Sequence, residues 1–230
     1  MKKILFIIAL CPIIVMSYAQ EKVRSITIQP KIGTTLSLPV GNSKKYLDPN
    51  FGFTGGIETE YQITKKWSVS LSVMYTQENS KLNDKEGIFS NWSVNGIQLI
   101  DFLNAYYSTH VKYLTGKQKT SYINIPIMAN YYVFKNFAIK VGIQPGFQLK
   151  CKGELNLEGN KIKLDMNDFM KSTQNSQPHK FDIAIPFGVS YEYHQFIVDG
   201  RYNFGLKRLW DGFNARNRFA QVTIGYKFKL

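Results

Sequence analysis

The sequence predicts an all-β fold, an eight-stranded antiparallel up-and-down transmembrane β-barrel. Three observations predict it. Eight segments alternate large apolar residues with small or polar ones, the period of a strand with two unlike faces. The connections between them run short, long, short, long, as in a barrel with all its tight turns at one end. The face formed by the large residues carries almost no charge, so it suits lipid better than water.

The alternation is strictest in 181–193, "FDIAIPFGVSYEY", where every odd position is large and every even one small or polar. The first segment is 26–38, with Ile26, Ile28, Ile32, Leu36 and Leu38 on one face. The second, 51–63, groups Phe51, Phe53, Ile57, Tyr61 and Ile63. The third, 67–77, sets Trp67, Val69, Leu71, Val73 and Tyr75 against Ser68, Ser70 and Ser72. Segments 121–132 and 137–150 follow, then 181–193, then 196–206. The last is 218–230, with Val222, Ile224, Tyr226 and Phe228 together. Tight turns are expected at 64–66, 134–136 and 194–195, and long external loops at 39–50, 78–120, 151–179 and 207–217. Pairing across each tight turn puts apolar on apolar: Ile63 with Trp67, Val133 with Phe137, and Tyr193 with Phe196.

The small-polar face includes Lys31, Glu58, Glu60, Lys140, Asp182, Glu192, Asp199, Arg201 and Lys227, among many Gly, Ser and Thr. Opposite charges among small side chains suit a crowded interior, and an eight-stranded barrel is only just wide enough to be filled by side chains. These nine residues are the expected interior polar cluster, with Arg201 paired to at least one inner carboxylate. The same groups are the alternative for a proton or ion path. On the large face, Trp67, Phe137, Tyr191, Tyr193, Phe196, Tyr226 and Phe228 gather at the tight-turn end, where they read as an aromatic girdle at a membrane–water interface. Phe51, Phe53, Phe147, Phe181 and Phe204 fall at the other end. A secreted lipocalin-like barrel, with the large residues inside, is the competing fold.

Residues 1–19, "MKKILFIIALCPIIVMSYA", have the basic start, apolar middle and small-residue end of a secretory signal peptide, with cleavage expected after Ala19. The apolar run is too short to anchor in a bilayer ~30 Å thick, and Leu10 before Cys11 argues against a lipoprotein box. Residues 20–230 then form a single barrel domain. Its net charge is +11, because loss of Lys2 and Lys3 leaves 27 basic against 16 acidic residues. Only Cys151 remains, so no internal disulfide is expected. An exported chain of this charge points to anionic lipid headgroups or acidic glycans rather than nucleic acid.

The stretches "YINIPIMANYYVFKNFAIKVGIQPGFQLK" (122–150) and "FDIAIPFGVSYEYHQFIVDGRYNFGL" (181–206) resemble the PorT-type outer-membrane β-barrel domain of Bacteroidetes. The likeness lies in a Tyr-x-x-Ile-Pro strand, a Gly-x-x-x-Gly strand and a Phe-Asp…Arg-Tyr-Asn-x-Gly-Leu hairpin. It implies an outer-membrane location in a Gram-negative cell and says little about biochemical role.

Residues for chemistry are sparse. His110, His179 and His194 lie far apart, and none stands at ligand spacing from another or from Cys151, so neither a metal nor a cofactor is expected. His179 at the outer end of a strand has no Ser and acid on one face beside it, so no catalytic triad is expected. The segment 94–116 carries Ile97, Ile100, Leu103, Tyr107 and Val111 near helical spacing. Ile97-Leu99 with Tyr107-His110 reads equally as a hairpin. It is either a cap over the barrel mouth or a surface that meets a glycan, lipopolysaccharide or protein partner. Three functions follow in order: a structural or surface-interaction protein, an accessory of a secretion or transport system, and an outer-leaflet lipid-modifying enzyme.

Overall fold

The computed structural model describes residues 24–38, 40–41, 47–83, 93–94, 97–98, 101, 105, 115–157, 160–168, 179–208 and 215–230. The expected signal peptide lies outside them, as does most of the 94–116 segment.

In chain order the strands are β1 (Ile26–Ser37), β2 (Val40–Gly41), β3 (Leu47–Gln62), β4 (Trp67–Asn83), β5 (Ser93–Val94), β6 (Ile97–Gln98), β7 (Thr115–Asn124), β8 (Ile127–Phe134), β9 (Phe137–Leu157), β10 (Asn160–Asp165), β11 (Phe181–Tyr193), β12 (Phe196–Arg208), β13 (Ala215–Tyr226) and β14 (Phe228–Lys229). Eight staves close a ring. β1 pairs β3, β3 pairs β4, and β4 pairs the stave made of β7 and β8. That stave pairs β9, which pairs β11; β11 pairs β12, β12 pairs β13, and β13 returns to β1. Every pairing is antiparallel, which hairpin connections between successive strands require.

The hydrophobic pattern is inverted relative to a water-soluble barrel. Ile32, Phe51, Val73, Val141, Phe187, Val222 and Ile224 are exposed on the outer surface. Glu58, Asp199, Lys140, Arg201 and Asn203 are buried in the lumen. The outer face needs a solvent without hydrogen bonds, and the only backbone that crosses lipid without a helix is a closed sheet. β11 alternates buried and outward along its whole length, as its sequence dictates. Among the described residues no helix is long and apolar enough to cross a membrane.

Five local features differ from the sequence expectation. The expected loops 39–50 and 207–217 are trimmed by strand: β3 begins at Leu47, across from Leu82, and Ala215–Arg216 pair with Val40–Gly41. The ladder does not stop at Gln77: β4 runs on to Asn83, paired with Thr115–Ser121 of β7, so the 78–120 connection begins and ends in strand. Residues 152–157 pair with 160–165 in a further hairpin that replaces part of the expected 151–179 loop. The fourth stave is broken at Ile125-Pro126, where Pro126 has no N–H to give and its carbonyl accepts from the Ser72 amide. The turn after it spans two residues rather than three. Phe134 faces Phe137, and a register shift between Tyr132 and Phe134 leaves Val133 and Phe134 both outward.

The other two turns keep the expected pairing. The amide of Ile63 donates to the Trp67 carbonyl at 2.9 Å, and Tyr193 faces Phe196. His194 adopts φ 58°, the left-handed region where glycine is commonest, because a two-residue hairpin turn demands positive φ.

Candidate functional site

The lumen is crossed by a network of buried ion pairs. Lys31 on β1, Lys140 on β9 and Arg201 on β12 converge on two carboxylates, Glu58 on β3 and Asp199 on β12. Lys31 Nζ lies 2.8 Å from Glu58 Oε1 and 3.3 Å from Asp199 Oδ2. Lys140 Nζ lies 2.8 Å and 2.9 Å from the same two atoms. Arg201 donates from Nη2 to Glu58 Oε2 at 2.5 Å and from Nε to Asp199 Oδ1 at 2.6 Å. The Ser72 hydroxyl donates to Glu58 at 2.9 Å. Charge-assisted contacts of this length are the strong class of hydrogen bond.

A second group lies nearer the tight turns. Lys227 Nζ is 2.8 Å from Glu192 Oε2 and 3.6 Å from Glu60 Oε2. Glu60 also accepts from Ser68 at 2.5 Å, from the Tyr132 hydroxyl at 2.6 Å and from Gln29 at 2.7 Å. The first group holds three cations and two carboxylates, the second one cation and two carboxylates. Each is off balance by one charge in opposite directions, and together the four cations meet four carboxylates. Low-dielectric burial of charge is tolerable only with such pairing and with the remaining lone pairs satisfied.

Small neighbours make room for the long cations. Gly188 sits in register between Lys140 and Arg201, and Lys31 between Gly56 and Gly225. A Cβ on Gly188 would stand 2.4 Å from the Gly200 carbonyl oxygen and 2.9 Å from Arg201 Cγ. Glycine there is a packing requirement, since the arginine stem lies where a side chain would begin.

Eight of the nine expected interior residues fall in these two groups. Asp182 does not. It is buried further along β11, in register with Gly146, and accepts from the Ile183 amide at 2.7 Å. Ser68 and Ser72, already on the small face by parity, join the network, and so do Gln29, Asn130 and Tyr132, which the sequence reading does not name. Period-2 parity places Tyr132 on the inner face with Asn130, which was the available signal. On the outer surface Trp67, Tyr191, Tyr193 and Phe196 are exposed near the tight turns, with Phe137, Tyr226 and Phe228 half-buried beside them. Trp67 packs on Tyr131, and Tyr226 on both Phe196 and Phe228.

Among the described residues, two cavities lie beside the network. One, of about 10 Å³, lies at the turn end among Ser25, Thr27, Glu60, Gln62, Lys227 and Lys229. The other, of about 40 Å³, lies at the outer mouth against Glu78, Thr120, Tyr122 and Arg218. These volumes admit a water molecule or a few, not an organic solute.

Of the histidines, His179 and His194 are exposed and His110 lies outside the described residues. Among the described residues no group of three or more His, Cys, Asp and Glu side chains is placed to hold a metal ion. Cys151 is fully buried beyond the apolar band, in contact with Thr120 Oγ1 at 3.4 Å and Gln118 Nε2 at 3.5 Å. Burial pushes its thiol up to about 11. A buried neutral thiol is a poor nucleophile. The folded barrel is therefore expected to resist a water-soluble maleimide at pH 7, and the heat-unfolded chain to react completely; equal labelling of both would contradict the inward placement.

No curated protein sequence matches the chain. Several solved outer-membrane barrels are similar in shape and distant in sequence. Ail of Yersinia pestis, solved in complex with the heparin analogue sucrose octasulfate, aligns over 90% of this chain and 100% of its own, at 13% identity and TM-score 0.49. Neisserial surface protein A aligns over 88% and 97%, at 14% identity and TM-score 0.46. OprG from Pseudomonas aeruginosa aligns over 90% and 97%, at 12% identity and TM-score 0.42. The model of the outer membrane protein beta-barrel domain family matches residues 18–211, most of the barrel described above, and the chain belongs to that family.

Proposed function

We propose that this outer-membrane barrel is closed to solutes and works from its external surface, as a structural or interaction component rather than as a pore or an enzyme. The observation that carries the reading is the balanced ion-pair network across the lumen, reaching from Lys31, Lys140 and Arg201 to Lys227. A water-filled channel would leave these groups hydrated and apart. Here each lies at contact distance from a group of opposite charge, with serine, asparagine and tyrosine side chains in the gaps. The membrane lipids are the partners that the outer face requires. A glycan, lipopolysaccharide or protein partner belongs to the external end, where β4, β7 and β9 run past the apolar band. The repeated motifs in 122–150 and 181–206 support a PorT-type relationship, and residues 1–19 support export with cleavage after Ala19.

The topology that this reading needs is open to test in whole cells. An even number of staves puts both chain ends on the periplasmic side, with the tight turns. A short epitope inserted between Leu157 and Asn160, the facing ends of β9 and β10, is expected to be labelled on intact cells. One inserted at Lys65 is expected to be labelled only after lysis. The reverse pattern would overturn the assignment of the external surface.

A further inference from the structure

Above the apolar band, the outward face of the sheet turns basic. On β4 the outward series Leu71, Val73, Tyr75 continues as Gln77, Asn79 and Lys81. On β7 it runs from Ile123 through Ser121 to Lys119 and Lys117. On β9 a register shift opposite Ser121 and Tyr122 leaves Leu149 and Lys150 both outward, so that Lys152 follows outward and Cys151 turns in. Lys81 stands directly across from Lys117, and Lys119 directly across from Lys152. Lys117 and Lys119 share a face of one strand, so these four lysines, with Lys150 beside them, form a single exposed cluster. Three carboxylates face the cluster directly across the ladder: Asp48 from Lys81, Glu154 from Lys117 and Asp165 from Lys152, which leaves five lysines against three acids. Glu154 is engaged at 3.7 Å by Lys161, on the neighbouring strand.

Two like-charged cross-strand pairs side by side are destabilising by themselves. Lysine is common on sheet edges, where it blocks pairing with another chain. That explanation serves Lys161 and Lys163 on β10, the outer strand of its hairpin. It does not serve Lys117 and Lys119, because β7 is paired on both sides, to β4 and to β9.

We propose that Lys81, Lys117, Lys119, Lys150 and Lys152 form a binding surface for the phosphate groups of an anionic lipid of the leaflet that surrounds the barrel's external end. The proposal rests on the external-surface reading above and names the partner class. Its height argues for a lipid rather than a soluble anion. Lys150 directly follows lipid-facing Leu149, and Lys119 is four residues beyond Ile123. At ~3.3 Å per residue and a tilt of ~40°, that is about 10 Å above the apolar edge, and about 15 Å for Lys117 and Lys81, six residues beyond Ile123 and Tyr75. From there the side chains of Lys119 and Lys152 reach down into a headgroup layer of about 5–8 Å, with Lys81 and Lys117 at its outer edge. Divergent acyl chains would then lie on the apolar stripe of Tyr75, Val73 and Phe147.

The test is native mass spectrometry of the full chain in zwitterionic detergent, titrated with diphosphoryl lipid A. The variant replaces Lys81, Lys117, Lys119 and Lys152 with glutamine; the control replaces Lys65, Lys66 and Lys135 at the turn end. The parent and the control are expected to hold lipid A in preference to phosphatidylcholine. The variant is expected to bind it at least about tenfold more weakly, since each lysine near an anionic surface adds to the attraction. Lipid A stripped of phosphate is expected to bind no better than phosphatidylcholine. Equal binding by parent and variant, or phosphate-independent binding, would overturn the proposal. So would displacement of lipid A by a heparin fragment at equal concentration, which would assign the surface to a soluble glycan. With lysine repulsion removed, the variant is expected to melt no lower than the parent in lipid-A-free detergent. A lower melting point would make the lysines structural and overturn the proposal too. None of these results depends on whether the lumen conducts, so failure here and failure of the closed-barrel reading are separable.

Discussion

Replacing Glu58 with glutamine is expected to cost ~3–5 kcal/mol of barrel stability, the range for removing one partner from a buried ion pair. Glu58 is the shared acceptor of Lys31, Lys140 and Arg201. Without its charge, three buried cations face Asp199 alone, and the excess of that group rises from one to two. Replacing Arg201 with methionine removes a cation instead and leaves two lysines facing two carboxylates. Its cost is expected to be smaller, since the first group is then balanced and the one-charge deficit falls on the second, where Glu60 accepts three further hydrogen bonds. The double variant, Glu58→Gln with Arg201→Met, restores the parent's excess of one. It should be more stable than Glu58→Gln alone. Urea unfolding in detergent or lipid reads all three. Strictly additive losses would mean that these groups do not act as a unit.

Gly188→Ala is expected to destabilise the barrel by ~1–3 kcal/mol, the usual cost of overpacking. The new methyl would press on the Gly200 carbonyl and the Arg201 stem, and moving the stem disturbs its contacts with Glu58 and Asp199. Gly200→Ala, one strand away, is the matched control. A Cβ there meets nothing within 4 Å, so the change should be neutral or slightly stabilising through the unfolded chain. The comparison uses the same substitution on neighbouring strands, with opposite expectations for inward and outward positions. Equal effects would mean that Gly188 is not making room for the cations.

Much of this arrangement was legible in the sequence because a barrel reduces three dimensions to parity. Once the large residues of 181–193 are assigned to lipid, every second residue of every stave is placed, and hairpin pairing carries the assignment across each tight turn. The cross-strand partners Gly188–Arg201, Ser190–Asp199 and Pro186–Asn203 follow from the two-residue turn at 194–195 alone. Parity fails where a bulge adds a residue. The register shifts at Asn50/Thr54, Ser121/Tyr122 and Tyr132/Phe134 leave no clear mark in composition. The one opposite Ser121 decides that Cys151 is inside and Lys150 outside. The extensions of β4, β7 and β9 were hidden for another reason. Beyond Tyr75 and Leu149 both faces carry polar residues, and without an apolar face the alternation has nothing to contrast. Which carboxylate each cation would meet was also beyond parity, because those contacts cross the lumen between strands far apart in sequence. Asp182 shows it: on the right face, yet apart from Arg201 and its partners.

A closed lumen is the central claim, and single-channel recording tests it most directly. Purified full-length protein, inserted into a planar bilayer at neutral pH and high salt, is expected to give no steady conductance. The cations and carboxylates already satisfy one another across the barrel, and the cavities described beside them admit a water molecule or a few. The Glu58→Gln variant, with its stranded cations, serves as the comparison in which transient current is admissible. A stable, ohmic conductance from the unaltered protein would show a continuous water path through the Lys31, Lys140, Arg201 and Glu58 group, and it would contradict the account.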